Sequence, residues 1–434
     1  MLRSMWSGVS GLKTHQVEMD VIGNNIANVN TTAYKSKAMT FKDTLYQTMT
    51  NATAATDVKG SISAKQIGLG TQTGSIKTNI TSQGSTLTTY RTLDLMINGD
   101  SFFAVAKDIS DAASVAYTRD GNFDIDANGS LVTASNGYYV LGWTGTATTG
   151  AIGRLDIVTA ATSTLAGTST TAATFRGNID KNDSLLSSDE GKVLNLEVYD
   201  STGETYTLKF KIDDAGDTNT STYTLSLTGA MDADGNEVSI TGSGTDVSLV
   251  YSPSDGTLVS ANGATSGLVT LNFTGALSTV GPLQLDFSAS TNYNSSGNST
   301  IRVVKGNIEG LNTGYAVGNM TGYSIGNDGS INLEYSNGQT VQYGTIATTI
   351  FANSAGLASL GDNLYAASVN SGDPQYQRVD EDGGYISSGT LEMSSVDLAM
   401  EFTNMITTQR GFQANSKVIT TSDEMLQILK GLKR

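Results

Sequence analysis

The sequence predicts a mainly β protein framed by two long terminal α-helices, with a β domain interrupted by an inserted antiparallel β domain. Three observations carry that expectation. Apolar residues recur at alternating three- and four-residue spacing at both ends, the middle alternates with a period of two between Asn-Gly and Ser-Thr-Gly turns, and the composition shifts to Thr, Ser, Ala, Gly and Asp from about residue 144 to 299.

Taken in order, Leu2, Met5, Val9, Leu12, Gln16, Met19, Gly23 and Ile26 form the first 3,4-spaced seam, and Trp6 and Ile22 widen it. Through "GNNIANVNTTAYKSK", Gly23 to Lys37, the residues Ile22, Ile26 and Val29 keep helical spacing. The helix is therefore expected to pass Gly23 and fray among asparagines, whose side chains cap loosened backbone groups, so that the stretch acts as a hinge. Residues 31–75 and 390–399 read as connecting segments, 76–147 and 306–389 as the two halves of the first β domain, and 148–305 as the insert. Hairpin signatures occur at Asn122–Thr133, Leu194–Asp213 and Ser330–Gly344. The last segment, residues 400–434, repeats the opening pattern. Leu398, Phe402, Met405, Gln409, Phe412, Ser416, Ile419, Asp423 and Leu426 keep the 3,4 spacing, Ile406, Met425 and Leu429 broaden it, and basic residues close it as a helix C-terminus prefers. With polar residues at seam positions of both helices and a β body between them, the two ends are expected to pair with each other and to leave apolar surface for other copies of the chain.

Composition narrows the function. The chain has 434 residues and a formal charge of −16, with an acidic middle between near-neutral ends, which disfavours binding to nucleic-acid phosphates. Cysteine is absent and His15 is the single histidine, which removes disulfides, thiolate chemistry and histidine-rich metal sites. No run is long and apolar enough for a membrane span, and the first residues lack the pattern of a cleaved secretory signal. The expectation is a chain without cofactor, lipid insertion or enzymatic activity.

The motifs that resemble chemistry are weak. "DIDANGS", Asp124 to Ser130, opens like a calcium loop, but Ser135 stands where the bidentate Glu belongs, so an Asn-Gly turn is expected. "DADGNE", Asp232 to Glu237, reads as a solvated turn. Asp380, Glu381 and Asp382 have no spacing that converges a catalytic pair. "GLGTQTGS", Gly68 to Ser75, lacks the Lys-Ser/Thr ending of a phosphate loop. His15 has no partner for a ligand role and reads as a polar-edge residue.

Two segments at the ends and one in the middle are more specific. "GVSGLKTHQVEMDVIGNNIANVNTTAYKSK" resembles the N-terminal signature of the bacterial flagellar rod and hook axial proteins, carried by Asn24, Asn25, Asn28, Asn30, Thr31, Tyr34 and Lys35. The segment from Val396 to Arg434 resembles the family's C-terminal end through Gln409, Arg410, Ala414, Asn415 and Ser416, and Thr118–Gly142 matches a third segment. The long insert, "LEVYDSTGETYTLKFKI" and the "LKGLKR" ending resemble the hook branch, with the distal rod and hook–filament junction branches behind it. Ala33 stands where many relatives have Gly.

The resemblance implies a coaxial pair of terminal helices lining a tube, β domains directed outward, and an open helical homopolymer that bends as a universal joint for swimming motility. It further implies contacts with rod, hook-cap and hook–filament junction proteins, delivery by a flagellar type III export apparatus without signal cleavage, and an extracellular place in the flagellum. In that assembly Leu2, Met5, Val9, Leu12, Met19, Ile22 and Ile26 would meet Leu398, Phe402, Met405, Phe412, Ile419 and Leu426 within and between subunits. Outside the family, a surface adhesin or fibre module and a carbohydrate-active enzyme are the alternatives.

Overall fold

A computed structural model describes residues 2–54, 59–109, 114–145, 150–215, 221–243 and 245–431. The last three residues of "LKGLKR", part of the boundary segment after Thr144, and the Leu2 side chain lie outside the described set. The protein is mostly β, with one long helix at each end: α1, Leu2–Ala27, and α2, Leu398–Gly431.

Helix α1 passes Gly23, and its end is shaped by the asparagines: the Asn28 backbone N–H and side-chain amide both donate to the Asn24 carbonyl. Helix α2 starts where Asp397 accepts the N–H groups of Ala399 and Met400 at 2.8 and 3.2 Å, an N-cap that satisfies donors the first turn cannot. The two helices pack along each other.

Two compact units divide the chain: residues 1–159, 323–332 and 342–434, and residues 160–322 and 333–341. In the first unit, segments from the two halves of the chain pair repeatedly. Thr86–Thr88 lies antiparallel to Thr390–Glu392, and Leu95–Asn98 to Tyr385–Ser388. Phe102–Ala106 pairs with Val115–Thr118 and Tyr139–Thr144. The core between them is aromatic, with Phe351 edge-on to Tyr117 at 4.8 Å and to Phe102 at 6.0 Å. Ahead of this domain, Lys37–Asp43 and Thr71–Thr78 form a two-stranded sheet against α1.

The second unit is a sandwich of a five-stranded and a six-stranded sheet. The Ser-Thr-Gly hairpin pairs Lys192–Tyr199 with Thr205–Asp214 in a register that opposes Leu196 to Leu208. Leu194, Leu196 and Val198 on one strand, and Leu208, Phe210 and Ile212 on the other, are buried as the alternation requires. Phe175 of the five-stranded sheet meets Phe210 at 5.7 Å and stacks on Phe287 at 4.5 Å, closing the core between the sheets. One pairing departs from the antiparallel expectation: Ala172–Asn178 runs parallel to Leu283–Thr291. A parallel pair needs a long crossover, and here the six-stranded sheet supplies it.

The other turns resolve as local structure. Asp126 accepts the N–H groups of Asn128 and Ser130, and Gly129 takes φ +84°, so "DIDANGS" is a hairpin turn between Phe123–Ile125 and Leu131–Thr133. Asp232 closes its turn the same way onto Asp234 and Asn236. Asp380 pairs with Arg378, whereas Asp382 accepts from the Ser101 hydroxyl, so these neighbouring acids serve different partners.

Candidate assembly interface

The seam between α1 and α2 is built from small and polar residues. On α2, Glu401, Thr408, Asn415 and Ser422 recur every seven residues; Glu401, Thr408 and Ser422 are buried. On α1, Gly8, Gly11 and Thr14 are buried, and Ser4 meets Ser422 hydroxyl to hydroxyl at 3.3 Å. The glycines set the spacing. A Cβ on Gly11 would stand 2.5 Å from Asn415 Nδ2, one on Gly8 3.1 Å from Ile419, and one on Gly411 2.7 Å from the His15 ring. His15 therefore fills the hole that Gly411 leaves; it also contacts Glu18 and lies 5.3 Å from Phe41. A seven-residue repeat keeps one stripe of a helix facing its partner, and here that stripe is polar, with Ile419 and His15 set against the glycines Gly8 and Gly411.

The apolar 3,4 pattern, read from the sequence as contacts within and between subunits, divides between the flanks of this seam and the outer faces. Ile22 is buried, and Met5, Leu12, Met19, Ile26, Met405, Ile419 and Leu426 are half-buried along the flanks. Trp6 (71 % exposed), Val9, Leu398, Phe402 (50 %), Ile406 (59 %), Phe412 and Leu429 face out. The two-stranded sheet packs on part of α1, and the large residues on the remaining outer faces of the pair stay in water. A contiguous apolar stripe of this kind marks an interaction surface.

The asparagine stretch after α1 is a knot of hydrogen bonds. Asn25, 1 % exposed, donates to the Lys37 carbonyl and to Glu401 at 2.8 and 2.9 Å and accepts the Lys37 N–H at 3.0 Å. The Tyr34 hydroxyl donates to Asn24 and Asn25 at 2.7 and 3.3 Å, and Thr31 to Asn28 at 3.1 Å. Burial, followed by the Glu401 carboxylate, raises the Tyr34 phenol above its ordinary value. Lys35 and Glu392, each 1 % exposed, form an ion pair at 2.7 Å. Lys35 also donates to the Ser82 carbonyl, and Glu392 accepts the Gly84 N–H. Burial holds the Lys35 ammonium below its ordinary pKa, with the Glu392 carboxylate opposing.

Ala33, between them, takes φ +55° in the left-handed region and donates its N–H to the Glu392 carbonyl at 2.8 Å. On the other side the Asn363 amide donates to the Thr32 carbonyl. The expected hinge is thus a pinned joint, fastened at both edges by residues from the far half of the chain.

Asn24, Asn25, Asn28, Thr31, Tyr34 and Lys35 are brought together in this joint, while Asn30 is exposed. Of the C-terminal motif, Asn415 enters the seam and Ser416 is half-buried, whereas Gln409, Arg410 and Ala414 face out. Sequence reasoning missed Gly8, Gly11, Gly411, Glu392 and Glu401. The seven-residue recurrence from Glu401 to Ser422 was the available signal, hidden by attention to apolar spacing. Among the described residues, no cluster of His, Asp or Glu is arranged to hold a metal ion, and no helix is long and apolar enough to cross a membrane.

Comparison with known proteins bears on these same segments. Residues 5–35 match the family described as flagella basal body rod protein, 96–171 the flagellar hook protein FlgE/F/G D1 domain, and 387–432 the flagellar basal body rod FlgEFG protein C-terminal. The flagellar hook protein FlgE of Borreliella burgdorferi is 35 % identical over the whole of both chains. The chain belongs to the flagellar hook and rod protein family. The hook protein FlgE of Treponema pallidum and the flagellar basal-body rod protein FlgG of Bacillus subtilis are each 32 % identical, again over all of both chains. The crystal structure of Helicobacter pylori flagellar hook protein FlgE2 shares the fold, with a TM-score of 0.50 and 15 % identity, covering 71 % of this chain and all of that one. The hook/rod family is one of structural proteins, and the joint around Lys35 coincides with the end of its N-terminal signature.

Proposed function

We propose that the chain is the structural subunit of the flagellar hook, a tube that transmits torque from the motor rod to the filament. The observation that carries the reading is the apolar outer face of the α1/α2 pair in a chain whose relatives named as hook proteins match it from end to end. A patch that docks onto a different patch of the next copy propagates an open helix unless the rotation closes. Residues of that face, from Trp6 and Val9 to Phe402, Ile406, Phe412 and Leu429, are assigned to contacts between subunits, and the small-residue seam to contacts within one.

As a hook subunit the chain would meet rod, hook-cap and junction proteins at the tube's ends, reach them through the flagellar export apparatus, and lie outside the cell. The hydrated strands of the second unit suit contacts that slide as the tube bends, because little apolar area is re-exposed. A distal rod protein is the second reading, favoured by the FlgG relative. Electron microscopy of the concentrated protein tests the proposal. Helical tubes from the full chain, and none when residues 1–30 or 400–434 are removed, are expected. Unchanged soluble particles from both refute it, and rigid straight tubes select the rod.

A further inference from the structure

Tyr90 stands out from the rest of the first unit. It is 92 % exposed and takes φ +61°, in the left-handed region where a bulky side chain is a conformational outlier. The strain is held in place from across the strand pair: the N–H groups of Thr89 and Tyr90 both donate to the Gly389 carbonyl, at 2.9 and 3.1 Å. Nearby, the Ser388 hydroxyl donates to the Thr92 carbonyl at 2.8 Å. Among the described residues, nothing covers the ring. A residue in a disfavoured backbone state persists when the surrounding structure over-determines it, and such states cluster where a side chain is displayed for use.

The surroundings indicate what the ring meets. Leu87 in strand Thr86–Thr88 and Met393 just after its partner strand Thr390–Glu392 are exposed, as are Leu398 and Met400 in the first turn of α2. Tyr90 therefore sits at the end of a strand pair whose second strand, Thr390–Glu392, is continuous along the chain with the start of α2. Tyrosine has the properties of an interface anchor, being large, rigid, and polar at one tip. From the strained display and that continuity we infer that Tyr90 is an anchor between copies of this chain, its ring covered by a neighbouring subunit. The inference rests on the subunit reading and names a contact within it.

Strain and use make opposite demands on this position, and the test exploits that. Tyr90→Asn puts a residue tolerant of positive φ in place of the ring. It is expected to raise the Tm of the isolated chain by about 2 °C and to raise the concentration needed for tube formation at least about tenfold. Tyr90→Phe keeps both strain and ring and is expected to assemble like the parent. Parent tubes matched by Tyr90→Asn at the same concentration overturn the inference alone. So does a lowered Tm accompanying the loss of assembly, which would make Tyr90 an ordinary stabilising residue. Absence of tubes from the parent chain under every condition overturns the subunit reading, and the anchor with it.

Discussion

At the residue scale, the Lys35–Glu392 pair matters most, since two charges removed from water depend on each other. Lys35→Met leaves the Glu392 carboxylate buried and unpaired. It is expected to lower the stability of the first unit by roughly 3–5 kcal/mol, read from urea unfolding. Adding Glu392→Leu should return much of that loss, because an apolar pair tolerates burial where a lone charge does not. Ala33 shows how far sequence reasoning reaches at this scale. It stands where many relatives have Gly, the residue that takes a positive φ most readily, and the backbone does adopt +55° there. The Lys35 pairing was out of reach, since nothing local to "AYKSK" points to a glutamate 357 positions away.

At the element scale, the two helices divide their surfaces between two tasks. The seam tolerates no bulk: Gly11→Leu would drive a side chain into Asn415. It is expected to cost about 1–3 kcal/mol, seen as earlier loss of helical circular dichroism on heating. Phe402→Ser, on the exposed face, should leave the stability of the isolated chain within about 0.5 kcal/mol yet abolish tube formation. Both helices and the hairpins were legible because periodicity reports which residues must avoid water. The partner that covers each face was less legible. Apolar spacing on α1 and α2 runs from the half-buried flanks of the seam to faces that lack cover within the chain, while the seam itself is written in glycines and polar residues. The parallel pairing of Ala172–Asn178 with Leu283–Thr291 left no trace either, because alternation is the same in both directions.

At the scale of the whole molecule, the second unit carries carboxylates tuned for neutral water. Asp180 accepts the N–H groups of Asn182, Ser295 and Gly297 and is held below the ordinary carboxylate pKa by those bonds against its burial. Asp183 is lowered likewise: burial pushes it up, and bonds from Ser299 and Leu185 outweigh that push. A carboxyl with a lowered folded pKa contributes stability that is complete above its unfolded value of about 4 and is lost as pH falls through the folded value. The Tm of the chain should thus be level near neutrality and decline in acid, with a shallower slope in Asp180→Asn; an unchanged slope removes Asp180 as a cause.

The pairing of the chain's two ends also sets a clock. Ser4 waits for Ser422 and Lys35 for Glu392, separations of 418 and 357 residues, among the most non-local contacts a chain of this length can make. Such contacts close late, after the intervening chain exists and its loop entropy has been overcome. During synthesis the second unit has its strands available first, whereas the helical pair cannot form until nearly the last residue is in place. If the outer face of the helix pair joins copies as proposed, that face is completed only after α2 has been made and paired with α1.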